Sequence, residues 1–299
     1  MGKSKYQTII LLVIIFISII FISSNDLLAR DIFELVKDGN QDEIEEALNS
    51  GADVNSSDNE GRSPLMIASR YNNDLEVIKI LLDQGANVNS RDDSGHSSLM
   101  YSLAEDNVNQ EVTKVLIEAG ANVNIKNIEG FSPLILASMG NSLEAIELLI
   151  DAGAELNTRD GILGYTSLIW AIEKGNEKAA KLLIEFGADV NVKAESNMSY
   201  SPIIHAIINQ KPSILSRLLS AGASPNEVVD DYFKRTPLMY VAKEIEDEEI
   251  AKEMVNLLLE HGADGKITCN EDMTAFDYVE ENESLINTEV YWILNDARY

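Results

Sequence analysis

The sequence predicts an all-α fold, a solenoid of stacked helix pairs in about eight repeats counting its two ends. Three observations carry this. The element Gly-Ala-Asp-Val-Asn at 51–55 returns, with variation, at 85, 120, 153, 187, 222 and 262. A second element, Ser-Pro-Leu at 63, keeps the same spacing at 97, 132, 166, 201, 236 and 274. Between them lie short apolar stretches ending on pairs such as Leu81-Leu82 and Leu183-Ile184. A period of 20–50 residues marks a repeat architecture. One helix pair cannot bury its apolar face alone, but stacked neighbours can.

In chain order, residues 1–29 come first. Lys3 and Lys5 precede the apolar run 9–22, and "SSNDLLA" ends at Ala29. This is the order of a secretory signal peptide. This run of 14 residues, interrupted only by Ser18, falls short of the roughly 20 that a membrane-spanning helix needs. An uncleaved anchor is the alternative, and in both readings the positive N-terminus stays inside, so the remainder faces out. Residues 31–55 read as an N-terminal cap without the Ser-Pro-Leu element. Six full repeats occupy about 58–266, and 268–299 form a C-terminal cap whose second helix is expected around Leu285 to Leu294.

Inside each repeat the roles are mechanical. The Ser or Thr is a helix N-cap. Pro64, Pro133, Pro202 and Pro237 sit at the first helical position, where the missing N–H costs nothing. Gly39, Gly140 and Gly175 split the two helices of their repeats, and the glycine of the Gly-Ala-Asp-Val-Asn element ends the second helix in a left-handed cap. Asp58 to Gly61 and Asp92 to Gly95 form turns before the next pair.

These Ser/Thr-Pro-Leu starts, Asp-x-x-Gly turns, leucine pairs and Gly-Ala-Asp-Val-Asn ends resemble the ankyrin repeat family over residues 31–299. The resemblance implies β-hairpin-like fingers projecting from one edge of the stack. It also implies a histidine fourth in the Thr-Pro-Leu-His element. Here Met66, Met100, Ile135, Ile169, Ile204, Met239 and Asp277 hold that place, so greater reliance on apolar packing is expected. Fingers five to seven are lengthened, the last two lack the tip glycine, and the seventh repeat carries the acidic insertion 243–253.

Charge excludes some functions. Against 50 Asp+Glu stand 23 Lys+Arg, a net of -27, which opposes nucleic acid and anionic membrane surfaces. No nucleophile elbow, phosphate loop or metal-ligand spacing is present. One cysteine, Cys269, allows no disulfide within the chain. No catalytic residue, cofactor or metal is expected.

Registering the repeats exposes two rows. The fifth residue of the Ser-Pro-Leu element reads Ile67, Tyr101, Leu136, Trp170, His205, Tyr240, Tyr278; the residue just before the N-cap reads Arg62, His96, Phe131, Tyr165, Tyr200, Arg235, Met273. If both rows are open, Phe131, Tyr165, Trp170, Tyr200, His205 and Tyr240, flanked by Arg62 and Arg235, form an aromatic partner-binding face, the composition of interface hot spots. In the competing reading the helix row packs between neighbours and only the finger row is free. The functional expectation is a non-catalytic scaffold, exported or membrane-anchored, that binds a protein partner with a basic patch. A secreted effector or immunity-type inhibitor is the alternative, and an enzyme or metal protein with a site across the fingers is the remote one.

Overall fold

The computed structural model describes residues 31–299, except 73, 105–108, 196–198 and 231. Every regular element among the described residues is helical: sixteen helices and no strand. The signal or anchor expectation for 1–29 lies outside the described residues. The chain divides into two compact units, one of residues 31–102 and 109–122, the other of residues 103–104 and 123–299.

The first unit holds α1 (Ile32–Asp38), α2 (Gln41–Asn49), α3 (Pro64–Tyr71), α4 (Leu75–Asp83), α5 (Ser98–Ser102) and α6 (Gln110–Glu118). First helices pack on first helices and second on second, as α1 on α3 on α5 and α2 on α4 on α6. The second unit holds α7 (Pro133–Met139), α8 (Leu143–Asp151), α9 (Ser167–Glu173), α10 (Glu177–Glu185), α11 (Pro202–Ile208), α12 (Pro212–Ser220), α13 (Pro237–Glu244), α14 (Glu248–Glu260), α15 (Ala275–Glu281) and α16 (Glu289–Ala297), stacked the same way. The acidic insertion lengthens α14 to 13 residues, against nine in α8, α10 and α12. The last helix starts four residues later than Leu285, which is buried in the preceding turn.

Local chemistry sets these bounds. Ser63, Ser132, Thr166 and Thr274 accept from the backbone N–H three residues on, as N-caps do. Proline stands at the first turn of α3, α7, α11 and α13, and also of α12. The glycines just past the second helices, from Gly51 to Gly262, all have positive φ, the left-handed cap that residues with a Cβ resist. At the family's histidine place, Met66 and Met239 turn their sulfur atoms back to the N–H groups of Ser63 and Thr236. Met66, Met100, Ile135, Ile169, Ile204 and Met239 are buried, so that place is filled by apolar packing.

Each finger is closed at its base by one backbone bond, for instance Asp58 N–H to Arg62 C=O at 3.0 Å and Val229 N–H to Arg235 C=O at 3.0 Å. One such bond gives a hairpin-like turn without a strand. Successive fingers are tied through their tips: Gly161 N–H donates to Glu129 C=O at 2.7 Å. A Cβ on Gly130 would lie 2.3 Å from that same N–H, so this tip requires glycine. In fingers six and seven, and in the C-terminal cap, Ser199, Lys234 and Asp272 take the positive-φ place of the tip glycine.

A second set of ties runs along the repeats within each unit. The asparagine closing the Gly-Ala-Asp-Val-Asn element bridges to the next copy. Asn55 bonds Gly85 C=O and Asn87 N–H; Asn191 bonds Gly222 C=O and Ser224 N–H; Asn226 bonds Gly262 C=O and Asp264 N–H.

Candidate functional site

The sequence rows resolve into a ladder in the second unit. Each finger-row ring stands at the base of its finger, just before the N-cap, and each helix-row ring sits one turn into the first helix. This spacing puts a helix-row ring between the finger ring of its own repeat and that of the repeat before. Phe131 contacts Trp170 (ring centroids 5.8 Å apart), Trp170 contacts Tyr165 (5.4 Å), Tyr165 contacts His205 (5.0 Å), His205 contacts Tyr200 (5.8 Å) and Tyr200 contacts Tyr240 (5.6 Å). The guanidinium of Arg235 then lies 4.5 Å from the Tyr240 ring centroid. The ring pairs meet edge-on, the arrangement that the aromatic quadrupole favours. Arg62 belongs to the first unit, where Asp58 and Glu60 hold its guanidinium. Burial disfavours a charged Asp58, but its bonds with Arg62 outweigh that and hold the carboxyl below the usual range.

Exposure differs along the ladder. Phe131, Tyr165, Trp170 and Tyr200 are half-buried. His205 is 3% exposed, Tyr240 1% and Arg235 7%. The expectation that these three are open to a partner is corrected: His205 is wedged between the rings of Tyr165 and Tyr200, Tyr240 between the Tyr200 ring and the Arg235 guanidinium, and Arg235 is stacked on Tyr240 and Phe233 with Glu244 at 3.3 Å. Phe131, Tyr165 and Tyr200 of the finger row and Trp170 of the helix row keep a free edge, and His205 and Tyr240 support them from behind.

Polar partners fix the helix row. Trp170 Nε1–H donates to Asp160 Oδ2 at 2.7 Å, and the same buried carboxylate accepts from the N–H groups of Ile162, Leu163, Gly164 and Tyr165. In the first unit Tyr101 O–H donates to Asp92 Oδ2 at 2.6 Å; burial, and then this carboxylate, push the Tyr101 phenol up. His205 has no finger carboxylate, because Ala194 starts its finger. Its Nδ1 lies 2.6 Å from Glu173 Oε1 on α9, which also accepts from Asn209 at 2.8 Å. The bond from His205 holds the Glu173 carboxyl below its usual range. Glu227 behaves oppositely. Burial pushes its carboxyl up, although the Ser201 hydroxyl donates to it.

Sequence reasoning missed the finger tips. Ile128 is 73% exposed, Ile162 58% and Tyr232 79%. The signal was available: apolar residues occupy tip positions where earlier fingers carry Asn59, Glu60, Asp93 and Ser94. Single exposed apolar residues are unremarkable, but these three belong to the same unit as the ladder and lie at the ends of its fingers.

No group of three or more His, Cys, Asp or Glu among the described residues is arranged to hold a metal ion. Cys269 is buried, with its sulfur 3.4 Å from the Tyr278 hydroxyl. The arrangement offers a contact surface of apolar edges over a hydrogen-bonded support. A family model described as ankyrin repeats (3 copies) matches residues 32–127 and 104–194. No curated protein matches the chain.

Proposed function

The chain belongs to the ankyrin repeat family, whose repeats are in general protein–protein interaction modules, and from that premise we propose that it is a non-catalytic scaffold binding a partner protein through the finger side of its second unit. The observation that carries this is the row of half-buried rings Phe131, Tyr165, Trp170 and Tyr200, held from behind by buried His205 and Tyr240. Pre-positioned aromatic edges lose little freedom on binding, which is what a hot spot needs. The net charge of -27 supports a partner with a basic patch. The order of charges and apolar residues over 1–29 supports export across, or anchoring to, the cytoplasmic membrane, with the repeats outside it. No helix among the described residues is long and apolar enough to cross a membrane.

The test pairs melting with capture. Phe131→Ser together with Tyr200→Ser should abolish partner capture from a lysate of the source cells while the cooperative melt moves by only a few degrees. Loss of the melt itself, or capture unchanged, would contradict the reading.

A further inference from the structure

His205 is the one ring of the ladder that can change its charge near neutral pH, and its surroundings are built around one nitrogen only. Glu173 is ionised and can only accept, so His205 Nδ1 carries the hydrogen of their 2.6 Å bond. In the neutral ring Nε2 is therefore a bare acceptor. It is buried, and no described residue offers it a hydrogen-bond partner. Buried polar atoms without partners are uncommon and call for an explanation.

The groups around the ring come from every packed element. Glu173 and Tyr165 face it from the preceding repeat, and Tyr200 and Asn209 belong to its own. Glu227, held by the Ser201 hydroxyl, comes from the next finger, with Lys193 near it. On the α13 side Tyr200 contacts both His205 and Tyr240, with Arg235 against Tyr240. The cations around α12 are engaged elsewhere: Lys211 pairs with Glu177, and Arg217 with Glu185.

We infer that His205 Nε2 is a buried proton-binding site, through which mild acidification places a positive charge between the Tyr165 and Tyr200 rings and shifts their contacts. A proton from solvent taken up at Nε2 turns the ring into an imidazolium whose Nδ1–H stays on Glu173. Its new N–H has no acceptor within reach in this arrangement, so the ring or its neighbours must move to supply one. The seat between Tyr165 and Tyr200 is thus no longer satisfied once the ring is charged. That this alters partner contact rests on the binding reading above; the ring movement itself does not.

The test needs no partner. In the full chain carrying Trp292→Phe, Trp170 is the sole tryptophan, and it contacts Tyr165. Its fluorescence, and the Cε1–H signal of His205 by NMR, are followed from pH 8 to pH 5, with exposed His261 as the reference. One shared transition is expected in both signals. His205→Phe, an apolar ring in a row that elsewhere holds Tyr and Trp, should abolish the fluorescence transition. Glu173→Gln should move its midpoint to lower pH by removing a carboxylate that favours the proton. A flat His205 signal over this range, or the same fluorescence transition in His205→Phe, would overturn the inference. A flat His205 signal faults this inference alone; the binding reading stands or falls on the capture test of its own.

Discussion

The fifth finger and the sixth and seventh solve one problem in two ways. Finger five starts on Asp160, a buried carboxylate that gathers four backbone N–H groups and the Trp170 indole. Fingers six and seven start on buried Ala194 and Val229. Without that acid, their helix-row rings look elsewhere: His205 to Glu173 of the preceding repeat, and Tyr240 through its hydroxyl to Tyr200 at 3.3 Å. The first residue of a finger therefore decides whether the ring behind it is anchored within its own repeat or to a neighbour. An acid makes the repeat self-sufficient. An apolar residue buries the ring deeper and makes adjacent repeats depend on each other. Repeat three, in the first unit, follows the acid rule with Asp92 and Tyr101.

Substitutions can break or sharpen this contrast. The largest effect is expected for Asp160→Ala, which strands five donors, most of them part-buried; about 3 kcal/mol of unfolding free energy should disappear from denaturant melts. Asp92→Ala removes an acceptor used by Ser94 N–H, His96 N–H and the Tyr101 hydroxyl. It should cost less, about 2 kcal/mol. Equal costs at the two sites would dissolve the ranking by donor count.

Glu173→Gln probes the other solution, and its sign depends on pH. The Glu173 carboxyl is lowered in the folded chain, so its contribution is present above the ordinary carboxylate range and fades as pH falls through and below that range. The carboxylate is partly open to solvent, so the loss should be about 1 kcal/mol at pH 7 and nearly nothing at pH 3. Glu227, pushed up by burial, runs the other way. Its cost grows as pH rises above the ordinary carboxylate range, so Glu227→Gln should stabilise at pH 7 and be neutral at pH 4. The smallest effect belongs to Tyr240→Phe, which loses one long hydroxyl contact and should stay within about 0.5 kcal/mol in the same melts.

Much of the scaffold was legible in the sequence because its signals are local. Caps at Ser63, Ser132 and Thr166, prolines at helix starts, and glycines past helix ends each act within a few residues. The lateral ties were harder to read. Asn55 or Asn191 looks like the tail of a turn until the repeat spacing brings the next copy's glycine carbonyl beside it. Ser199, Lys234 and Asp272 hold the tip conformation without glycine, since the closed finger base and the neighbouring fingers over-determine it. In the candidate site, register alone identified the two rows and the residues that meet. Which of them are covered depended on the partners of each ring, and those come from other repeats. For Arg235, a charged side chain next to a finger gave no hint that Tyr240 and Phe233 would enclose it.

The most direct measurement of where a partner sits is site-specific photo-cross-linking on the full chain. A photoreactive residue at Ile162 or Tyr232, on the fingers, is compared with one at Glu147 or Lys178, exposed on the second helices α8 and α10. Cross-links to one partner from 162 and 232, and none from 147 and 178, are expected. Cross-links from the second helices with silent fingers would contradict a binding face built on the aromatic ladder.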